Sequence, residues 1–170
     1  MVLSSRAIVY GDDINTDLII AGKYTKTLNT DDLVAHAMED LDPDFHEKCK
    51  DGAFVVAGEY FGCGSSREQA PVALLRSGVK CVAAKSFSRI FYRSAINIGL
   101  PLVECDTSFI EEGDQLEYEL GGSELFNVTK GTSIKVNPLP DLMVQILNCG
   151  GMVPYMKKYH GFQVTAGKEL

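Results

Sequence analysis

"AFVVAGEYFGCGSSREQAPVALLRSGVKCVAAK" (Ala53–Lys85) decides the fold. It opens on an apolar run of strand length and passes a joint crowded with glycine and serine. It then continues as an amphipathic helix stopped at Gly78 and returns to a second apolar run. A strand that is apolar at successive rather than alternate positions is buried on both faces, as in parallel sheets covered by crossover helices. "AFVVAG" and "KCVAAK" are therefore expected as parallel neighbours joined by the helix "SREQAPVALLRSG".

Working outward, the same alternation continues. "SFSRIFYRSAINIG" reads as a second helix, capped by Ser86 and ended by Gly99, and "LPLVEC" as a third strand. Together these make a parallel βαβαβ core. Upstream, "RAIVYG" (Arg6 to Gly11) reads as a strand and "DDINTD" (Asp12 to Asp17) as a polar loop. "TDDLVAHAMEDL" reads as a helix with Leu33, Ala37, Met38 and Leu41 on one face, and Asp42-Pro43 as the cap and first turn of another ending near Lys50. After Asp106 the period shortens: "DQLEYEL" and "SELFNV" flank Gly121-Gly122 as a hairpin, "TSIKVN" adds a strand, and "LPDLMVQILNCGG" an amphipathic helix. The fold class is α/β, with a β-hairpin region added to the parallel core. A single domain over residues 1–170 is expected, with its core at about 6–160 and a loose tail at 161–170.

Composition narrows the function. Hydrophobic residues at 45% and charged ones at 23% suit a soluble globular chain. A net charge of −7 lacks the basic footprint that nucleic-acid binding needs. No apolar run reaches the length of a membrane span, and "MVLSSRAIVYGDD" has no signal-peptide core, so a cytoplasmic location is expected. The five cysteines, Cys49, Cys63, Cys81, Cys105 and Cys149, are scattered without a CxxC pair, which argues against a disulfide framework and against an iron–sulfur or metal site of the chain's own.

The joint Gly62 to Glu68 sits at the carboxyl end of a parallel strand, where open α/β folds place ligands. It supports two readings. In the first, Ser65-Ser66-Arg67-Glu68 is a capping box and Ser65 an N-cap worth about 1 kcal/mol. In the second, free N–H groups, the helix dipole and Arg67 hold an anion, and a serine hydroxyl there exchanges a proton with a bound substrate. Neighbouring fingerprints fail: Arg67 stands where GxGxxG needs its third glycine, no GK[ST] follows, and no GxSxG occurs. Cys63 has no histidine placed beside it by sequence; His36, His46 and His160 read as surface residues.

Three blocks, in order, carry a resemblance. "GDDINTDLIIAGKY", "FGCGSSREQAP" and "AAKSFSRIFYRSAINIGLPLVE" resemble segments of the aconitase superfamily, over most of residues 6–160. Within it, the chain is similar to the free-standing small subunits of the isopropylmalate isomerase and homoaconitase type. The resemblance implies the swivelling β/β/α domain that forms the aconitase C-terminal domain. It implies a hydro-lyase of amino-acid biosynthesis that isomerises a 2-hydroxy di- or tricarboxylic acid, such as 2-isopropylmalate, by dehydration and rehydration. It also implies a separate large subunit carrying a 4Fe–4S cluster, whose open iron is the Lewis acid, with no cofactor on this chain. By the same carry-over Ser65 is the general base, Ser66 and Arg67 hold a substrate carboxylate, and Asp17 belongs to the active-site network.

In the family, the loop "GKYTKTLN" (Gly22 to Asn29) lies over the substrate's variable group. Lys26 and Thr27 are thus candidate substrate contacts, with a solvated surface lysine as the plain alternative for Lys26. A lysine meets a distal carboxylate as a point charge, whereas an isopropyl group wants an apolar wall. Homoaconitase, a methyl- or dimethylmalate dehydratase, and a non-catalytic carboxylate-binding module therefore stay open beside isopropylmalate. Arg89 and Arg93 could reach the same edge or only cover the sheet; Lys85 and Ser86 lie at that edge, with capping as the default. Asp12 and Asp13 read as turn formers.

Overall fold

The computed structural model describes residues 1–26 and 29–162. Thr27, Leu28 and residues 163–170, which include most of the expected loose tail, lie outside the described residues. One seven-stranded sheet organises the rest, in the order β4-β3-β2-β1-β5-β6-β7. Its strands are β1 (Val2–Val9), β2 (Ala53–Val56), β3 (Val79–Ala84), β4 (Leu102–Glu104), β5 (Gln115–Glu119), β6 (Glu124–Asn127) and β7 (Thr132–Lys135). The first four run parallel, and β5 joins the edge of β1 antiparallel, so the βαβαβ core and the hairpin expected from sequence share one sheet. This is the α/β architecture the apolar runs called for.

The strands alternate between two apolar clusters, as period-2 side chains must. Ala53, Val55, Val82, Ala84 and Leu102 pack with Leu74 of α4 (Gln69–Arg76) and Phe91 of α5 (Arg89–Ile98). Phe54, Val56, Cys81, Ala83 and Val103 pack with Leu116 and Tyr118 of β5, with Ile146 and Leu147 of α6 (Asp141–Asn148), and with Tyr155 of α7 (Met152–Tyr159). Every residue of β2 is buried, which accounts for its unbroken apolar sequence. Gly99 ends α5 in the left-handed conformation at φ 91°, where a side chain would be strained.

Several boundaries differ from the sequence reading, each for a tertiary reason. The first strand begins at Val2 rather than Arg6, because Val2 to Arg6 pair with β5. The short helices are α1 (Thr16–Ile19), α2 (Thr30–Ala35) and α3 (Phe45–Lys48), with a 3-10 turn at Gly22–Tyr24. The helix expected through Leu41 stops six residues earlier, and Met38 takes φ 60° so that its N–H can donate to the Ile19 carbonyl. Asp42-Pro43 precedes α3 instead of opening it; Asp42 Oδ1 accepts from the Asp44 N–H. Ser86 does not cap α5: its hydroxyl is shared between the Tyr60 N–H and Glu59. The sequence reading assigns nothing to α7, which holds Pro154 in its first turn, where a missing N–H costs nothing.

Asp42 ties the start of this layer to β1. It accepts from Tyr10 Oη at 2.8 Å and from Lys48 Nζ at 2.7 Å. Burial disfavours its charge, but the Lys48 ammonium and the Tyr10 hydroxyl outweigh burial and hold its carboxyl below the usual carboxylate value. A lowered folded pKa contributes stability above the unfolded pKa of about 4 and loses it as pH falls through the folded value. Asp42→Asn should therefore cost about 2 kcal/mol near pH 7. In urea titrations the gap to wild type should close below about pH 4.

Candidate active site

Two loops leave the carboxyl ends of β1 and β2 and close on each other. Gly62 N–H donates to the Ile14 carbonyl and Thr16 N–H to the Cys63 carbonyl, both at 2.8 Å. Thr16 Oγ1 donates to the Ser65 carbonyl, again at 2.8 Å. Asn15 completes the first loop by capping α1, accepting from Leu18 N–H at 2.9 Å. On the far side, Phe61 meets Phe87 and Phe91 edge-on at 6.1 and 5.2 Å. The loop 61–65 is thus held from both flanks before it reaches the helix.

Glycine is required at the first bend. Gly62 has φ 76°, and a Cβ there would lie 2.2 Å from Phe91 Cγ. Gly64, at φ 92°, has more room: its nearest neighbour would be Thr16 Oγ1 at 3.4 Å. The two bends bring Ser65 and Ser66 to the surface, where both are exposed and neither hydroxyl bonds to a described residue.

The capping box is corrected here. Helix α4 begins at Gln69, four residues beyond Ser65, and the residue before it is Glu68, with no side-chain cap. Thr16 takes the Ser65 carbonyl and draws this stretch toward α1, so residues 66–68 are spent turning into the helix. The helix dipole acts over its first turn. The cation nearest Ser65 in the chain is therefore the more important field: Arg67 Nη1 pairs with Asp17 Oδ1 and donates to the Ile20 carbonyl at 3.2 Å. That leaves Nε and Nη2 of Arg67 without a bonded partner among the described residues, and Arg67 and Asp17, both singled out by sequence, do meet.

The loop at Gly22 approaches the same place. Gln69 Nε2 donates to the Thr25 carbonyl at 3.1 Å, and Thr25 Oγ1 to the Gly22 carbonyl at 2.8 Å. Lys26 is exposed with no partner among the described residues, and Thr27 lies outside them. His36, expected on the surface, keeps a side-chain exposure of 35% and stacks on Tyr24. Thr16, Gln69 and His36 were not legible as site residues, because each acts through a partner distant in sequence. Asp12 proves structural, accepting from the Glu59 N–H at 2.7 Å, while Arg89 and Arg93 are exposed on α5.

Burial keeps the thiols of the sheet protonated. Burial, reinforced by the Asp13 carboxylate, raises the Cys63 thiol above its ordinary value. Burial likewise pushes Cys49 and Cys105 up to about 12. Metal ligation needs thiolates. Among the described residues no three histidine, cysteine, aspartate or glutamate side chains gather to hold a metal ion. A cavity of about 410 Å³ is walled by Lys85, Glu104, Lys135 and Asn137 and includes none of Ser65, Ser66 or Arg67.

Residues 6–106, which hold both loops, match the model of the aconitase C-terminal domain. The chain belongs to the aconitase C-terminal domain family. It is 50% identical, over 96% of its length and all of the relative's, to 3-isopropylmalate dehydratase small subunit 2 of Archaeoglobus fulgidus. It is 49% identical to the 3-isopropylmalate dehydratase small subunit of Halothermothrix orenii, over 92% of this chain and 96% of that one. The isopropylmalate/citramalate isomerase small subunit of Methanocaldococcus jannaschii is 44% identical, over 92% of this chain and 95% of the relative. The crystal structure of 3-isopropylmalate dehydratase from the same organism superposes with a TM-score of 0.89 at 45% identity, covering 94% of this chain and 96% of that one. The expected swivel-domain fold is thereby established. No helix among the described residues is long and apolar enough to cross a membrane.

The glycine bends make a differential prediction. Gly62→Ala should cost roughly 3 kcal/mol, combining about 1–2 for a left-handed alanine with 1–3 for overpacking on Phe91. Gly64→Ala should cost only about 1–2 kcal/mol, the backbone term alone. Urea unfolding of the two variants side by side measures both.

Proposed function

We propose that this chain is the small subunit of a hydro-lyase that interconverts 2-isopropylmalate and 3-isopropylmalate, as in leucine biosynthesis. The single observation that carries the reading is the exposed Ser65–Ser66 pair, held on a glycine loop beside the Arg67–Asp17 ion pair. Arg67 is mostly covered, with a side-chain exposure of 18%, so its position is set before substrate arrives. Its free donor edge suits a planar carboxylate, and Ser66 adds a neighbouring hydroxyl. Asp17 and the Ile20 carbonyl hold the guanidinium in orientation.

Elimination removes a proton from carbon next to a carboxylate, and the electron pair becomes the new double bond as hydroxide departs. Ser65 takes that proton as its alkoxide. Arg67, by neutralising the carboxylate, lowers the cost of the negative charge that builds on it. An alcohol ionises only where positive charge is near, and that charge acts at full strength only where water is excluded. The exposed edge supplies the charge, and a large subunit closing over it supplies the exclusion of water. We assign the 4Fe–4S cluster to that partner, in keeping with relatives named as small subunits.

Assembled with its large subunit, Ser65→Ala should lower kcat by about 10²–10⁴ while substrate still binds, measured by absorbance of the unsaturated intermediate. Retained turnover removes Ser65 as the base. Carboxylate binding by the chain alone, with no turnover in the assembly, would favour a binding module instead.

Lys26 keeps a second substrate class in view. Its exposed ammonium, with no partner among the described residues, suits a carboxylate-ended substituent better than an isopropyl group. Lys26→Leu should shift the ratio of kcat/KM values toward isopropylmalate by about fivefold, the worth of an exposed ion pair of about 1 kcal/mol. An unchanged ratio takes Lys26 out of substrate selection.

A further inference from the structure

Side chains from three elements, Gln69 and His36 among them unused by the proposed chemistry, fasten the root of the 22–26 turn. From α4, Gln69 reaches back to the Thr25 carbonyl at 3.1 Å. From the Ser65 loop, the Arg67 guanidinium lies against Gly22, where a Cβ would stand 3.4 Å from Nη2. From the end of α2, His36 stacks on Tyr24 with ring centroids 3.8 Å and planes 4° apart. His36 Nδ1 is in turn 2.6 Å from Glu39 Oε2, so the ring is fixed on its other edge. Lys23 closes this side, its Nζ 4.6 Å from the Tyr24 ring centroid and 3.5 Å from Glu39 Oε1. Three elements thus converge on residues 22–25, and the next residue, Lys26, stands exposed.

We propose that Gln69 and His36 are positioning residues for substrate selection, fixing how far the side chain at position 26 stands from Arg67. This rests on the proposed function, in which Arg67 holds the carboxylate common to all substrates and position 26 faces the group that varies. With the root pinned, a substrate whose variable group is the wrong length or polarity cannot be accommodated by moving the turn. With the root loose, the turn adapts and discrimination falls.

The test uses Gln69→Leu, His36→Ala and His36→Phe in the full chain assembled with its large subunit. Two quantities are read: kcat and KM for isopropylmalate and citramalate, and the rate at which trypsin cuts after Lys26 in the unassembled chain. Gln69→Leu and His36→Ala should each bring the two kcat/KM values closer by about fivefold, the factor set by one lost hydrogen bond or stacking contact. The change should fall on KM rather than kcat, with faster cleavage after Lys26. His36→Phe, which keeps the stack, should restore most of both. A loosened turn with unchanged substrate ratio overturns the proposal, and unchanged cleavage in both variants overturns the tether itself. An assembly that turns over neither acid overturns the parent reading instead, so the two failures are told apart.

Discussion

The meeting of the two loops beyond β1 and β2 is the constraint on which the site depends. Parallel strands deliver both loops to the same edge of the sheet, and three short bonds join Ile14 and Thr16 to residues 62–65. Without them the Gly62–Glu68 segment would be a free connection, and its simplest course would be straight into the helix. With them, Ser65 and Ser66 project outward and Arg67 turns back toward Asp17. The chemistry assigned to this edge is a by-product of how the loops are tied.

The central fold was legible because burial on both faces leaves a sequence mark. β2 and β3 are almost unbroken apolar runs, and Gly78 and Gly99 stop the helices between the strands. Short-range signals misled where a distant partner competed for the same atoms. Ser65 has the spacing of a cap, but a threonine 49 residues away takes its carbonyl. Ser86 stands at a helix start, but its hydroxyl goes to Tyr60 and Glu59.

The candidate site divides in the same way. Ser65, Ser66, Arg67 and Asp17 were found through motif blocks, and the fold brings Arg67 and Asp17 into contact. Thr16, Gln69 and His36 carry no local mark, since their importance lies in a carbonyl or ring that only the folded chain supplies. Residues read from a motif leave a pattern in sequence more readily than residues that hold them in place.

The openness of the Ser65–Ser66 edge has a consequence for the cell. Water screens the pull of a cation such as Arg67 on a neighbouring hydroxyl, and a dry site restores it. On the proposed chemistry, a subunit made in excess of its mate would remain inert. Docking, by drying this one edge, would arm it, so that synthesis of the chain and onset of its chemistry are separate events, with assembly as the safety catch between them.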